Sequence, residues 1–151
     1  MGKLKMIDIS AKGETFRVAK AEGWIFMKDE VVSQIKEGKV EKGDVITAAK
    51  LAGIQAAKQT PALLPLCHPL SYSSIEVKVE EGEKEGRRGL RVEATVKGWG
   101  RTGMEMEALT AVAVALLTIY DMCKGIDREM EIGNVVLLEK RGGKSGEYKR
   151  V

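Results

Sequence analysis

The chain is poor in the residues that most often announce chemistry or a special environment: it has two cysteines, a single histidine, three prolines and only 5% aromatics among 151 residues. Cys67 and Cys123 form no CxxC pair and no secretory signal precedes them. Reduced thiols in a cytoplasmic protein are therefore expected, not a disulfide framework. So few aromatics leave little on which to stack bases, and a formal charge of +3 is too mild to demand nucleic acid. No uncharged apolar run approaches the roughly 20 residues that a membrane-spanning helix needs, so no membrane partner is expected. Cys67, His68 and Cys123 match no familiar zinc spacing, and no ligand cluster calls for a metal or a cofactor.

What the chain does have is length and clear patterning. One domain spanning residues 1–151 is expected, large enough to bury roughly 70% of its unfolded surface without metal or disulfide staples. Residues 17–27 read as a strand, and residues 29–37 as a short helix ended by Gly38. Asp44 is placed to cap an alanine-rich helix, VITAAKLAGIQAAK, that stops before Thr60-Pro61. Residues 74–80 and 90–96 alternate apolar with charged side chains, and the charged stretch EGEKEGRRG between them reads as a hairpin loop. A long helix over residues 103–124 and a strand over residues 131–139 follow. This order is the split βαβ pattern of an α+β ferredoxin-like sandwich, an antiparallel sheet with helices on one face.

The long helix carries charges only near its ends. Glu107, Thr110, Val114, Thr118, Asp121 and Lys124 share one stripe at helical spacing, yet Glu107 and Asp121 stand about 21 Å apart at the helical rise. That is too far for both to line one small-molecule pocket in one subunit. A second copy packed antiparallel across a two-fold axis would bring the Glu107 end of one chain beside the Asp121 end of the other. The alternative is plainer: Asp121 and Lys124 form an exposed ion pair, while Glu105 and Glu107 favour the first helical turn.

His68 sits in LLPLCHPL, and all three prolines fall between positions 61 and 69, so this loop should be stiff and should hold the imidazole in a defined direction. Lys42 precedes a helix N-cap by two residues, where the positive end of the helix dipole disfavours an ammonium and would make it a readier proton donor. Lys124 beside Asp121 forms a second candidate acid-base pair. The basic residues near the C-terminus, among them Lys140, Arg141 and Lys144, could meet an anionic ligand or simply be solvated.

Two phosphate-loop lookalikes fail on context. GWGRTG, residues 98–103, fits GxGxxG, but the strand before it belongs to a hairpin and no second unit follows, which argues against dinucleotide binding. GKS, residues 143–145, has Leu138 where a Walker motif needs its first glycine.

Taken together, DISAKGETFR, KGDVITAAKLAGIQAAK, LLPLCHPL, TGMEMEALTAVAVALLTIYDMCK and GGKSGEYK resemble the molybdenum cofactor biosynthesis protein C family, the cyclic pyranopterin monophosphate synthases. The resemblance spans residues 8–149, nearly the whole chain. It implies a lyase that converts 3',8-cyclo-7,8-dihydro-GTP to cyclic pyranopterin monophosphate and releases pyrophosphate. It also implies a homohexamer, a trimer of dimers with sites at the dimer interface. Carried over by motif, Leu66, Cys67 and His68 with Glu105, Met106 and Glu107 would line the substrate pocket, and Asp121 would be the catalytic carboxylate. Lys42 and Lys124 would transfer protons, while Lys12, Arg17 and Lys140 would hold the triphosphate or shape the pocket. A non-catalytic nucleotide-binding module is the rival reading, because ferredoxin-like domains host many functions.

Overall fold

A computed structural model describes residues 2–151. Its elements are β1 (Thr15–Phe26), α1 (Asp29–Lys36), α2 (Val45–Lys58), α3 (Thr60–Leu63), β2 (Ser71–Lys84), β3 (Arg87–Gly100), α4 (Glu105–Cys123), β4 (Glu131–Arg141) and β5 (Tyr148–Lys149). The strands form one sheet in the order β2-β3-β1-β4-β5, and every neighbouring pair is antiparallel. The first four strands and the helices packed on them make the expected ferredoxin-like arrangement.

Strand alternation decides which face takes the helices. Along β1, Ala19, Ala21 and Ile25 are fully buried toward the helical side, as are Val92, Ala94 and Val96 of β3. The intervening residues carry charge on the other face. There Lys20 lies 3.4 Å from both Glu93 and Glu139, and Arg91 donates to Glu22 at 2.6 Å. Such partly exposed pairs add little stability singly, but they keep a polar face polar.

α4 is the centre of the core. Ala108, Ala111, Val112, Ala115, Leu116 and Ile119 are fully buried, and the helix lies against β1, β3, β4 and α2. Its approach to β1 is close: a Cβ at Gly23 would stand 2.8 Å from side-chain carbons of Val112 and Leu116. The small residues of α2 serve the same end. A Cβ at Gly53 would come within 3.1 Å of the Ala111 carbonyl oxygen. At 19 residues α4 is long and apolar enough to cross a membrane by length and composition, as buried core helices also are, and here its apolar face is packed into the core.

One local expectation needs correction, and two short elements join those expected. EGEKEGRRG is mostly strand, because β2 runs to Lys84 and β3 starts at Arg87. Only Glu85 and Gly86 turn the chain, both at positive φ (52° and 77°), as a two-residue hairpin turn requires. The chain also makes a further helical turn at Thr60–Leu63, with proline in its first turn where the missing N–H costs nothing, and Thr60 donating to the Ala56 carbonyl at 3.0 Å. Finally the basic tail folds back as β5, where Arg150 N donates to the Leu138 carbonyl at 2.8 Å. Four-residue and two-residue elements are too short to leave a periodic signal.

Candidate active site

Two groups of candidate side chains lie at opposite ends of α4. At its C-terminal end, Lys42 reaches over from the turn before α2. That turn is fixed by Asp44, whose carboxylate accepts from Thr47 N at 3.1 Å and from Thr47 Oγ1 at 2.7 Å. Lys42 Nζ donates to the Asp121 carbonyl oxygen at 2.9 Å and lies 3.4 Å from Asp121 Oδ2. Lys124 Nζ lies 3.2 Å from Oδ1 of the same carboxylate. Lys124 first, and then Lys42, hold the Asp121 carboxyl below the usual carboxylate range. The α2 dipole was expected to govern Lys42, but the fold puts its ammonium on a carbonyl at the negative end of α4, a favourable place for a cation.

All three side chains of this group are about half exposed. An ion pair this wet contributes little to folding, so stability does not explain two lysines converging on one carboxylate.

At the other end of α4 is a cavity of about 540 Å³. Its walls are Ile7, Ile9 and Lys12 of the N-terminal segment, the proline loop from Leu64 to His68, and Thr102, Gly103, Glu105 and Met106 around the start of α4. Lys140, from β4, places Nζ 2.8 Å from Glu105 Oε1, a charge contact without hydrogen-bond alignment. Glu107 is fully buried behind the proline loop, where Cys67 Sγ donates to its Oε2 at 3.7 Å. Burial pushes the Glu107 carboxyl upward. The Cys67 thiol is raised too, by burial and by the neighbouring Glu107, so it is not a ready nucleophile.

Arg17 is buried at 6% exposure, and its Nε donates to the Gly100 carbonyl at 2.9 Å. Among the described residues no carboxylate pairs with it. Gly143 makes room for the guanidinium and Gly142 for the Phe16–Arg17 backbone: both have positive φ, and a Cβ at either would collide there. A buried cation satisfied only by a carbonyl is suited to receive an anion.

The structure thus joins Lys42, Asp121 and Lys124, and separately gathers Lys12, Leu66, Cys67, His68, Glu105 and Met106 around one cavity, with Lys140 in contact with Glu105 and Glu107 behind Cys67. It does not join the two groups within one chain. Sequence reasoning missed Ile7, Ile9 and Thr102 as cavity walls, because irregular segments carry no periodicity. Among the described residues, no three His, Cys, Asp or Glu side chains gather as a metal site.

Comparison with known proteins adds to this geometry. The MoaC family model matches residues 6–143. A protein of Bacillus velezensis named cyclic pyranopterin monophosphate synthase is 50% identical over 149 residues, covering 99% of this chain and 88% of the relative.

Proposed function

The chain belongs to the MoaC family, and from that premise we propose that it is an enzyme of molybdenum cofactor biosynthesis that converts 3',8-cyclo-7,8-dihydro-GTP to cyclic pyranopterin monophosphate with release of pyrophosphate. The observation that carries this reading is the Asp121 carboxylate set between two ammonium groups, at 3.2 and 3.4 Å, on an exposed helix end. A site that only bound a triphosphate would gain from the lysines and lose from the carboxylate. An acid-base reaction uses both.

In this reading Asp121 accepts or orients a proton while Lys42 and Lys124 deliver protons during the ring rearrangement. Arg17, Lys12 and Lys140 hold the triphosphate and stabilise the charge that develops on the departing pyrophosphate. Leu66, Cys67, His68, Glu105 and Met106 enclose the ring system, and Glu107 backs them. No step calls on a metal or a cofactor.

The two half-sites meet across a dimer. Packing α4 antiparallel against its copy brings the Asp121 group of one protomer to the cavity of the other, and three such dimers make the homohexamer. Leu117, 58% exposed on α4, Met106 at 41% and Leu51 at 63% on α2 are apolar side chains that such an interface would cover. We place the protein among soluble cytoplasmic enzymes, a reading supported by two cysteines that form no disulfide and by a nucleotide-derived substrate.

Incubating the purified protein with the cyclised dihydro-GTP, and following pyrophosphate and pterin, tests this. Product from the wild type and little from Asp121→Asn is the expected result. Tight binding of the substrate without product would replace the enzyme with a nucleotide-binding module.

A further inference from the structure

We propose that residues 6–10 are a strap that closes over the bound substrate, with Ile7 and Ile9 as its apolar cover and Arg101 as the positioning residue that holds it in place. The inference rests on the reading of the adjoining cavity as a substrate site. It concerns walls drawn from one chain, so it holds whichever protomer supplies the Asp121 group.

The segment stands between two cavities. Ile7 and Ile9 line the one that also holds His68 and Met106. With Met6, Asp8 and Ser10 they line a second, also of about 540 Å³, whose other walls are His68, Pro69 and Arg101. A stretch of chain with open space on both sides has room to move toward a ligand.

Its side chains suit that movement. Residues 2–9 belong to no helix, strand or turn, yet Leu4, Met6 and Ile7 are 86%, 42% and 63% exposed. A single exposed isoleucine needs no explanation, but three apolar residues within four positions of an unpaired segment have nothing of their own chain to cover. A ligand site buries most of its ligand, and the strap is the wall of this cavity least held by the fold.

Only the C-terminal end of the strap is tied down. Asp8 Oδ1 accepts from Ser10 N at 2.8 Å, and Lys12 N donates to the Ile9 carbonyl at 3.0 Å, which closes a turn. From the body of the protein, Arg101 Nη1 donates to the Ser10 carbonyl at 3.4 Å. A bond this long is weak, as a segment that opens and closes requires.

The loop that carries Arg101 is a firm anchor. Its GxGxxG pattern lets it lie close against the residues that follow the proline loop: a Cβ at Gly98 would collide with the Ser71 carbonyl oxygen, and one at Gly100 would stand 3.1 Å from a side-chain carbon of Leu70. Arg17 Nε fixes the Gly100 carbonyl at 2.9 Å. The glycines thus seat Arg101 against the strap while Thr102 and Gly103 line the cavity.

Hydrogen exchange on Asp121→Asn, which should hold the cyclised dihydro-GTP without consuming it, tests closure. The amides of residues 6–10 are expected to slow about tenfold or more on binding, together with those of the proline loop. Slowing in the proline loop alone overturns the strap and leaves the synthase reading intact, whereas slowing in neither removes the substrate site and the strap with it. Kinetics of the synthase reaction test the anchor. Ile7→Ser should raise KM about fivefold or more, with kcat within about twofold and the melting temperature unchanged, because the side chain is exposed in the free protein. Arg101→Ala should do likewise, and the double variant should lose no more than the worse single one, since both act through the strap. An unchanged KM in both single variants overturns the proposal. Additive losses, or a loss confined to kcat, would give Arg101 a direct hold on substrate and end its positioning role.

Discussion

The two ends of α4 carry carboxylates of opposite character. Asp121 is exposed at the C-terminal end, clasped by Lys42 and Lys124, and its carboxyl is held below the usual range. Glu107 is buried at the N-terminal end beside a thiol, and its carboxyl is pushed up. The same helix thus offers one carboxyl that water can reach and one that it cannot. Environment, not residue type, assigns the role.

The sharpest way to break this contrast is Asp121→Asn. It should lower kcat by about 10²–10⁴, the usual range for general acid-base groups, while the melting temperature stays nearly unchanged because the side chain is exposed. A comparable drop in both would make Asp121 structural. Next comes a mixing experiment between Asp121→Asn and His68→Ala, substitutions at opposite ends of the helix. If one site draws on two chains, subunit exchange between the two weak variants restores about a quarter of the wild-type rate. No recovery after verified exchange would confine each site to a single chain.

The pH dependence of stability should then separate the two ends. Glu107 has its folded pKa raised, so its contribution is fully present below its unfolded value near 4.5 and is lost as pH rises toward the folded value. Glu107→Gln should therefore gain stability relative to the wild type as pH is raised from 4.5, by denaturant unfolding. Asp121 behaves oppositely: its folded pKa is depressed, and its contribution, present above the unfolded value near 3.8, is lost as pH falls through the folded one. Asp121→Asn should consequently flatten only the acid side of the stability profile, and a change on the alkaline side would contradict the pairing. The smallest effect is expected from Asp44→Ala. Loss of this cap should cost about 1 kcal/mol and loosen the turn that carries Lys42, a modest fall in melting temperature with a small fall in kcat.

Much of the fold was legible in the residues themselves. Alternation in β2 and β3, the Asp44 cap and the apolar run of α4 each produced the element expected of them, because each signal is local and repeats over several residues. The hairpin loop was overdrawn since charged residues are tolerated on the open face of the sheet, so polarity there does not end a strand. The Gly142-Gly143 pair carried a visible signal, two glycines in succession, but only the position of Arg17 explains it. Cavity walls at Ile7 and Ile9 gave no signal at all.

By itself, then, the sequence determined which segments become strands and helices and which residues share a face of α4, since both follow from backbone geometry and side-chain period. It also carried the family motifs. It placed Glu107 and Asp121 on one stripe, with nothing in the helical period to tell a buried carboxyl from an exposed one. Only the tertiary structure decided that one would be sealed behind the proline loop and the other left in water between two lysines, because burial and charge pairing arise from segments far apart in the chain, which no local pattern encodes.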